Sequence, residues 1–248
     1  MDLLRRVQPK RILDVGCGSG GPLLEMLRLG FDASGFDYAP EMVEESQRNL
    51  REAGFSENKV HRNNIEDIAD IEAGVYDCIT ALGVIYYARN LDRTMSEICR
   101  ILAPGGRFIF SVRNSLFSLF SLNEYSYEFF TNQLIPSDRL SPELRENAER
   151  YMAERFASVG VDRKFKTVDD LGIHSREHNP LTVSAELLQP YGLTLEGLYF
   201  YHWHAVPPIF EHTNLAEFRD VSAELENPTD WRGMFMASGF VVDACKTP

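Results

Sequence analysis

Apolar residues in this chain come in two alternating arrangements. Short unbroken blocks read as buried strands, and longer segments with apolar positions three or four apart read as helices. Ile12, Leu13 and Val15 form the first block, followed by Gly16, Gly18, Gly20 and Gly21 and then by a helical segment over 22–29. A second strand is predicted over 31–36, ending on Asp37, with a helix over 40–53 behind it. Residues 59–62 predict a short third strand and 75–82 a fourth. The segment 90–102 carries Leu91, Met95, Ile98 and Leu102 at helical spacing and runs into Ala103-Pro104-Gly105-Gly106. The proline and glycines stop that helix, and 107–112 becomes the fifth strand.

The alternation breaks over 114–173, too long for a simple connection between strands. This insertion, about 114–175, is rich in aromatics at first and then charged, with Ser141 as a helix N-cap, Pro142 at the first helical position and Gly160 ending it. Helices packed on each other explain most of these aromatics, and a loop at this edge is also placed to act as a lid over a pocket. Alternation then resumes with a helix over 180–192, a long sixth strand over 193–206 and a seventh over 233–246. The whole, residues 1–248, reads as one elaborated α/β domain.

Composition narrows the partners. The chain is 44% hydrophobic and 25% charged, which is ordinary for a globular protein. Its net charge of −12 argues against a general nucleic-acid binder, because phosphate affinity comes largely from Lys and Arg. Apolar stretches are strand-sized, and residues 1–10 are short and polar, so neither a membrane span nor a secretory leader is expected. Cys17, Cys78, Cys99 and Cys245 are widely spread without metal-type pairing, which suits reduced thiols in a cytoplasmic protein.

Glycines at the tip of a strand let the backbone turn sharply and approach a ligand, and the helix that follows aims its first amides into the turn. Gly16, Gly18 and Gly21 satisfy a dinucleotide fingerprint, G-x-G-x-x-G. Gly16, Gly18 and Gly20 with Asp14 form D-x-G-x-G-x-G instead. Asp14 would repel a pyrophosphate but can accept from an ammonium group, which S-adenosylmethionine carries beside a carboxylate. Asp37, at the tip of the neighbouring strand, suits both hydroxyls of a ribose in either cofactor, and also suits a helix N-cap. Tyr38 and Met42 follow it and could pack on adenine.

With the helix, Leu102-Ala103-Pro104-Gly105-Gly106 and strand unit added, the chain resembles class I S-adenosylmethionine-dependent methyltransferases of the small-molecule type. The resemblance covers about 11–112 by motif and the end of the chain by pattern. It implies a Rossmann-like seven-stranded sheet with an antiparallel last strand inserted between the fifth and sixth. Many relatives have one or two covering helices before the first strand; here another segment supplies the cover or the chain is short at that end. The resemblance further implies Gly16, Cys17, Gly18 and Gly20 around the methionine end with Leu82, and Asn64, Ile65 and Glu66 around adenine. In many such enzymes an Asp stands where Asn64 is, and the next backbone amide donates to the ring. The Asn/Asp-Pro-Pro-Tyr/Phe sequence of amide and base N-methylation is replaced here by Leu82-Gly83-Val84-Ile85-Tyr86.

Five of the six histidines lie between His174 and His212. His174 and His178, at the carboxyl edge of the sheet, are candidate general bases for a hydroxyl. His202 and His204 alternate along a strand and so are expected on one face, as substrate contacts with Tyr87 and Tyr125 or as two ligands of one metal. Polar pocket-wall residues are the plainer reading, and no metal site is expected. O-methylation of a small polar metabolite, such as a sugar or surface-polysaccharide precursor, is the leading expectation. N-methylation of a small amine, an NAD(P)-dependent oxidoreductase and a non-catalytic cofactor-binding module are the alternatives.

Overall fold

The computed structural model describes residues 1–157 and 176–247. Strands β1 (Ile12–Val15), β2 (Ala33–Asp37), β3 (Val60–Arg62), β4 (Tyr76–Ala81), β5 (Leu102–Asn114), β6 (Glu177–His178), β7 (Leu193–Trp203) and β8 (Ala237–Lys246) form one sheet. Its order is β3-β2-β1-β4-β5-β8-β7, with β6 attached to β5. β1 through β5 pair in parallel, and β8 runs antiparallel between β5 and β7. This is the Rossmann-like methyltransferase arrangement that the sequence resemblance implies.

Helices α1 (Asp2–Val7), α2 (Gly21–Arg28), α3 (Pro40–Glu52) and α4 (Leu91–Ile101) precede or connect the parallel strands. Residues on a strand alternate between its faces, and the core divides accordingly. Ile12, Cys78 and Ile109 pack with Leu4 of α1, Leu23 and Met26 of α2, and Val43 and Leu50 of α3. Leu13, Val15, Ile79, Phe108 and Phe110 pack on the opposite face with Met95 and Ile98 of α4 and with Leu187 and Leu188.

Within the insertion lie α5 (Ser118–Ser121), α6 (Glu124–Phe129) and α7 (Pro142–Ala157). The Ser141 hydroxyl accepts from Leu144 N–H at 3.3 Å, as its N-cap position predicts. Gly160 lies outside the described residues. The remaining helices are α8 (Leu215–Leu225) and α9 (Gly233–Met236).

Three expectations are corrected. The 180–192 segment is not an α-helix: Ser184–Leu188 is a π turn and Gln189–Tyr191 a 3-10 turn. Pro190 lacks the amide that an α-helix needs, and Gly192, left-handed at φ 70°, ends the segment. The last strand begins at Ala237, because Gly233–Met236 coils into α9. A short apolar run reads equally as strand or helix, and Gly233 permits the turn: a Cβ there would stand 2.5 Å from Phe200. Finally, α1 occupies residues read as a polar lead-in.

β6 fixes the geometry of the sheet's carboxyl edge. It pairs Glu177 with Arg113 and His178 with Asn114, whereas β4 stops opposite Phe110. Gly239 of β8 already occupies the other side of Arg113. β6 therefore continues the line of β4, directly beyond its end.

Toward the opposite edge, Arg107 on β5 forms an ion pair with Asp243 on β8, whose side chain is 2% exposed. Burial pushes the Asp243 carboxyl up, and the guanidinium pulls it back down. Removing one member of such a pair strands the other charge. Arg107→Met is expected to cost about 3 kcal/mol in urea unfolding, with much of the loss recovered when Asp243→Asn is added.

Candidate functional site

The glycine loop after β1 is held from two sides. Gly16, Gly18 and Gly20 all have positive φ, at 65°, 54° and 83°. A Cβ on Gly16 would lie 2.3 Å from Val84 Cγ2, and one on Gly20 would lie 2.3 Å from Ser46 Oγ. Gly18 faces open space. The loop thus packs against 84 and α3 at its two ends and presents bare backbone between them.

Asp37 closes this loop onto β2. One carboxylate oxygen accepts from Gly18 N–H at 2.8 Å, the other from Ala39 N–H at 2.9 Å. Its carboxylate thereby serves the chain entering α3, and each oxygen keeps a lone pair for a further donor. A cavity of about 330 Å³ opens here, within the size range of small-molecule sites. Gly16, Gly18, Asp37 and Tyr38 form one side, Asn63 and Ile65 another, and Gly83, Val84 and Tyr87 the third. A larger cleft of about 480 Å³ lies at the amino ends of β1 and β2, beside Lys10 and Asp32. Ligands of open α/β sheets bind at the carboxyl ends, where the smaller cavity sits.

Asp14, 2% exposed, lies beneath the loop. Its Oδ1 accepts from Thr80 Oγ1 at 2.6 Å, and its Oδ2 has no partner. Burial, partly countered by Thr80, raises its carboxyl to about 7, with the Asp37 charge adding to the rise. A buried acid with a vacant acceptor suits a nearby cation.

Not every expected residue reaches the cavity. Cys17 turns inward against Gly35, and burial pushes its thiol up to about 12. Met42 is half-buried and does not line the wall. Asn64 spends its side-chain carbonyl on Glu66 N–H at 3.0 Å, and Asn63 lines the cavity in its place. Glu66 accepts from Arg89 N–H and Asn90 N–H, tying the loop after β3 to the start of α4. Ile65 lines the cavity, and its amide has no partner among the described residues. Leu82 is 38% exposed beside the wall, which Gly83 and Val84 form.

The substrate-side candidates separate. Tyr87 lines the cavity, while Tyr125 on α6 does not. His178 is buried on β6, its Nε2 unpartnered, and burial lowers its pKa. His174 lies outside the described residues. His202 and His204 do not share a strand face: His202 is left-handed at φ 54°, and His204 follows the end of β7. The His204 ring packs at 4.7 Å from Phe117 and 5.6 Å from Phe218. Both are beyond β8 from the cavity. Among the described residues, no group of three or more His, Cys, Asp or Glu converges as a metal site.

Residues 2–160 match the family model described as "Methyltransferase domain". The chain belongs to that family. A ubiquinone biosynthesis O-methyltransferase from Paracidovorax citrulli is 26% identical over 73% of this chain and 73% of its own length. Another so named, from Xanthomonas axonopodis pv. citri, is 29% identical over 52% of this chain. The match spans only 54% of that relative's length. Among solved structures, an S-adenosylmethionine-dependent methyltransferase from Mesorhizobium loti superposes with a TM-score of 0.56 at 14% identity, covering 99% of this chain and 96% of the other. The cyclase SpnF gives 0.54 at 15%, covering 96% and 75%. Such likenesses establish the fold, on which different chemistries can sit.

This methyltransferase domain takes S-adenosylmethionine as its donor, and its residues fit that group. Asp14 offers a vacant carboxylate oxygen for an ammonium, Asp37 offers free lone pairs for a ribose, and Ile65 offers an unpaired amide for an adenine nitrogen.

Because its folded pKa is raised, the protonated Asp14 stabilises the fold at low pH, and that contribution is lost as pH rises from about 4 to about 7. Asp14→Asn should escape this loss, so the variant gains on the parent between pH 5 and pH 8 in urea melts. Gly16→Ala should lose S-adenosylhomocysteine binding at least tenfold by calorimetry, since it combines a positive φ with a collision at Val84.

Proposed function

We propose that this domain catalyses transfer of the S-adenosylmethionine methyl group to a hydroxyl of a small molecule. The observation that carries the reading is the cavity bounded by the Gly16–Gly20 loop, Asp37 and Ile65, with the vacant Asp14 oxygen below it. The names of the relatives support oxygen as the acceptor atom. They do not support a sugar or polysaccharide precursor as the acceptor.

When bound, the donor supplies a methyl group on an electrophilic sulfonium. The protein aligns an acceptor behind that methyl and excludes water. Gly83, Val84 and Tyr87 stand where the acceptor enters, at the end of β4. A hydroxyl must lose its proton, and a base is useful only if it is unprotonated at working pH. His178 meets that condition, because burial disfavours its charged form, and β6 places it in line with β4. His178 is the base in this reading, its unpartnered Nε2 being the atom that takes the proton. The helices at 118–157 are assigned as the cover over the acceptor.

No helix among the described residues is long and apolar enough to cross a membrane. A nicotinamide-dependent reading is disfavoured by Asp14, whose charge opposes a pyrophosphate.

Calorimetric titration tests the cofactor side. S-adenosylhomocysteine should bind and NADH should not. Asp37→Ala should weaken the former at least tenfold, and binding should tighten as pH rises through about 7 as Asp14 ionises. Binding of NADH alone would overturn the proposal. For the base, His178→Gln should lower kcat at least a hundredfold for a hydroxyl acceptor while leaving S-adenosylhomocysteine affinity intact. Unchanged turnover would remove His178 from the mechanism.

A further inference from the structure

The carboxyl edge holds a cation that the cofactor reading does not use. Arg113, the penultimate residue of β5, is half-buried. Among the described residues its guanidinium makes no hydrogen bond or ion pair. It lies over the ring of Tyr86, whose centroid is 5.4 Å from Cζ. Glu177 is its neighbour in register on β6; the two side chains form no close ion pair, although burial raises the Glu177 carboxyl and the guanidinium charge is near enough to pull it back down. A half-buried guanidinium held on an aromatic face, with no carboxylate at ion-pair distance among the described residues, is placed to receive one.

Its surroundings define what the anion is attached to. Arg113 lies opposite Gly239 of β8, and the Tyr201 ring lies over that glycine. A Cβ on Gly239 would come within 2.7 Å of Tyr201 Cζ, so the missing side chain is what lets the ring settle beside Arg113. Tyr86 and Tyr87 pack with centroids 4.4 Å apart, and Tyr87 lines the cofactor cavity. The Tyr86 hydroxyl is 3.6 Å from the point a Gly83 Cβ would occupy, and Gly83 lines the same cavity. Burial pushes that hydroxyl up to about 12, so it remains a donor at neutral pH. From Arg113 to the cavity wall there is therefore a continuous strip of cation, aromatic faces and a phenolic donor.

We propose that Arg113 is a specificity residue that binds a carboxylate on a planar, hydroxylated acceptor, with Tyr86 and Tyr201 holding the acceptor's ring. The proposal deepens the methyltransferase reading and rests on it. Guanidinium and carboxylate match in planar, two-pronged geometry. Anchoring one end of the acceptor on Arg113 leaves its hydroxyl directed along Tyr86 toward Gly83, where the methyl donor is read to lie.

The test uses protein saturated with S-adenosylhomocysteine and two probes of equal shape, 3,4-dihydroxybenzoate and the uncharged 3,4-dihydroxybenzamide. Calorimetry should show the benzoate binding at least tenfold tighter than the benzamide. Arg113→Gln should abolish that preference while leaving S-adenosylhomocysteine affinity and the benzamide's own affinity unchanged. Arg113→Lys, which keeps the charge without the fork, should keep part of the preference and covers the case in which the glutamine variant folds poorly. Equal binding of the two probes to the parent protein, binding of neither, or a preference that survives Arg113→Gln would each overturn the assignment. Loss of S-adenosylhomocysteine binding by the parent protein itself would instead sink the methyltransferase reading on which the assignment stands.

Discussion

The cofactor end of this molecule depends on one carboxylate. Asp37 receives the Gly18 amide from the β1–α2 loop and the Ala39 amide from the start of α3. The first contact fixes how far the glycine loop can lift from the sheet; the second fixes the turn out of β2. Val84 and Ser46 hold the two ends of the loop, and Asp37 holds the bare Gly18 backbone between them. Hydrogen bonds to an ionised acceptor are stronger than neutral ones, so a single charge can order both segments. The same two oxygens still face the cavity with lone pairs to spare. Positioning the loop and reading a ligand are thus one function of one side chain.

How much of this the amino-acid sequence discloses depends on the range of the interactions involved. The β1 strand, the glycine loop and Asp37 are legible because they are local: strand periodicity, glycine spacing and an acid at a strand tip follow one another in the chain. The wedged last strand was implied by family resemblance and occurs as expected, though its start was misjudged by the four residues of α9. Asn63 lines the cavity and Asn64 does not, because the Asn64 carbonyl turns to Glu66 N–H, a contact that adjacent asparagines do not advertise. His202 and His204 failed for a related reason. Alternation presumes an unbroken strand, and the left-handed backbone at His202 breaks it. Nothing local in the sequence marks Arg113, because the residues around it, Tyr86, Tyr201 and Glu177, come from three distant segments.

The two faces of the sheet also divide labour. Asp14 and Thr80 are register partners on adjacent strands, and Ser111 continues the row on β5, where its hydroxyl accepts from Gly83 N–H at 2.7 Å. Arg113 lies two residues further along the same face. The result is a polar row crossing the carboxyl edge above a core of Ile12, Cys78 and Ile109. The other face is apolar as far as Val112, including the stacked rings of Phe108 and Phe110, 4.3 Å apart, and ends on the register pair Asn114 and His178. Rigid strands rather than loops therefore carry most of the polar groups near the site.

The position of β8 has a consequence in time. It is the last strand in the chain but an interior strand of the sheet, paired from Arg107 to Arg113 on one side and along β7 on the other. β7 therefore has no place in the sheet until residues more than a hundred positions downstream of β5 have emerged from the ribosome, as the Arg107–Cys245 pairing shows. Pairings across such distances form slowly, since a long loop must close before any contact rewards it. During synthesis the β1–β5 half can assemble while the edge of β5 stays bare, and bare edges invite pairing with other chains. Arrival of β8 then both joins β7 to the sheet and covers the edge of β5.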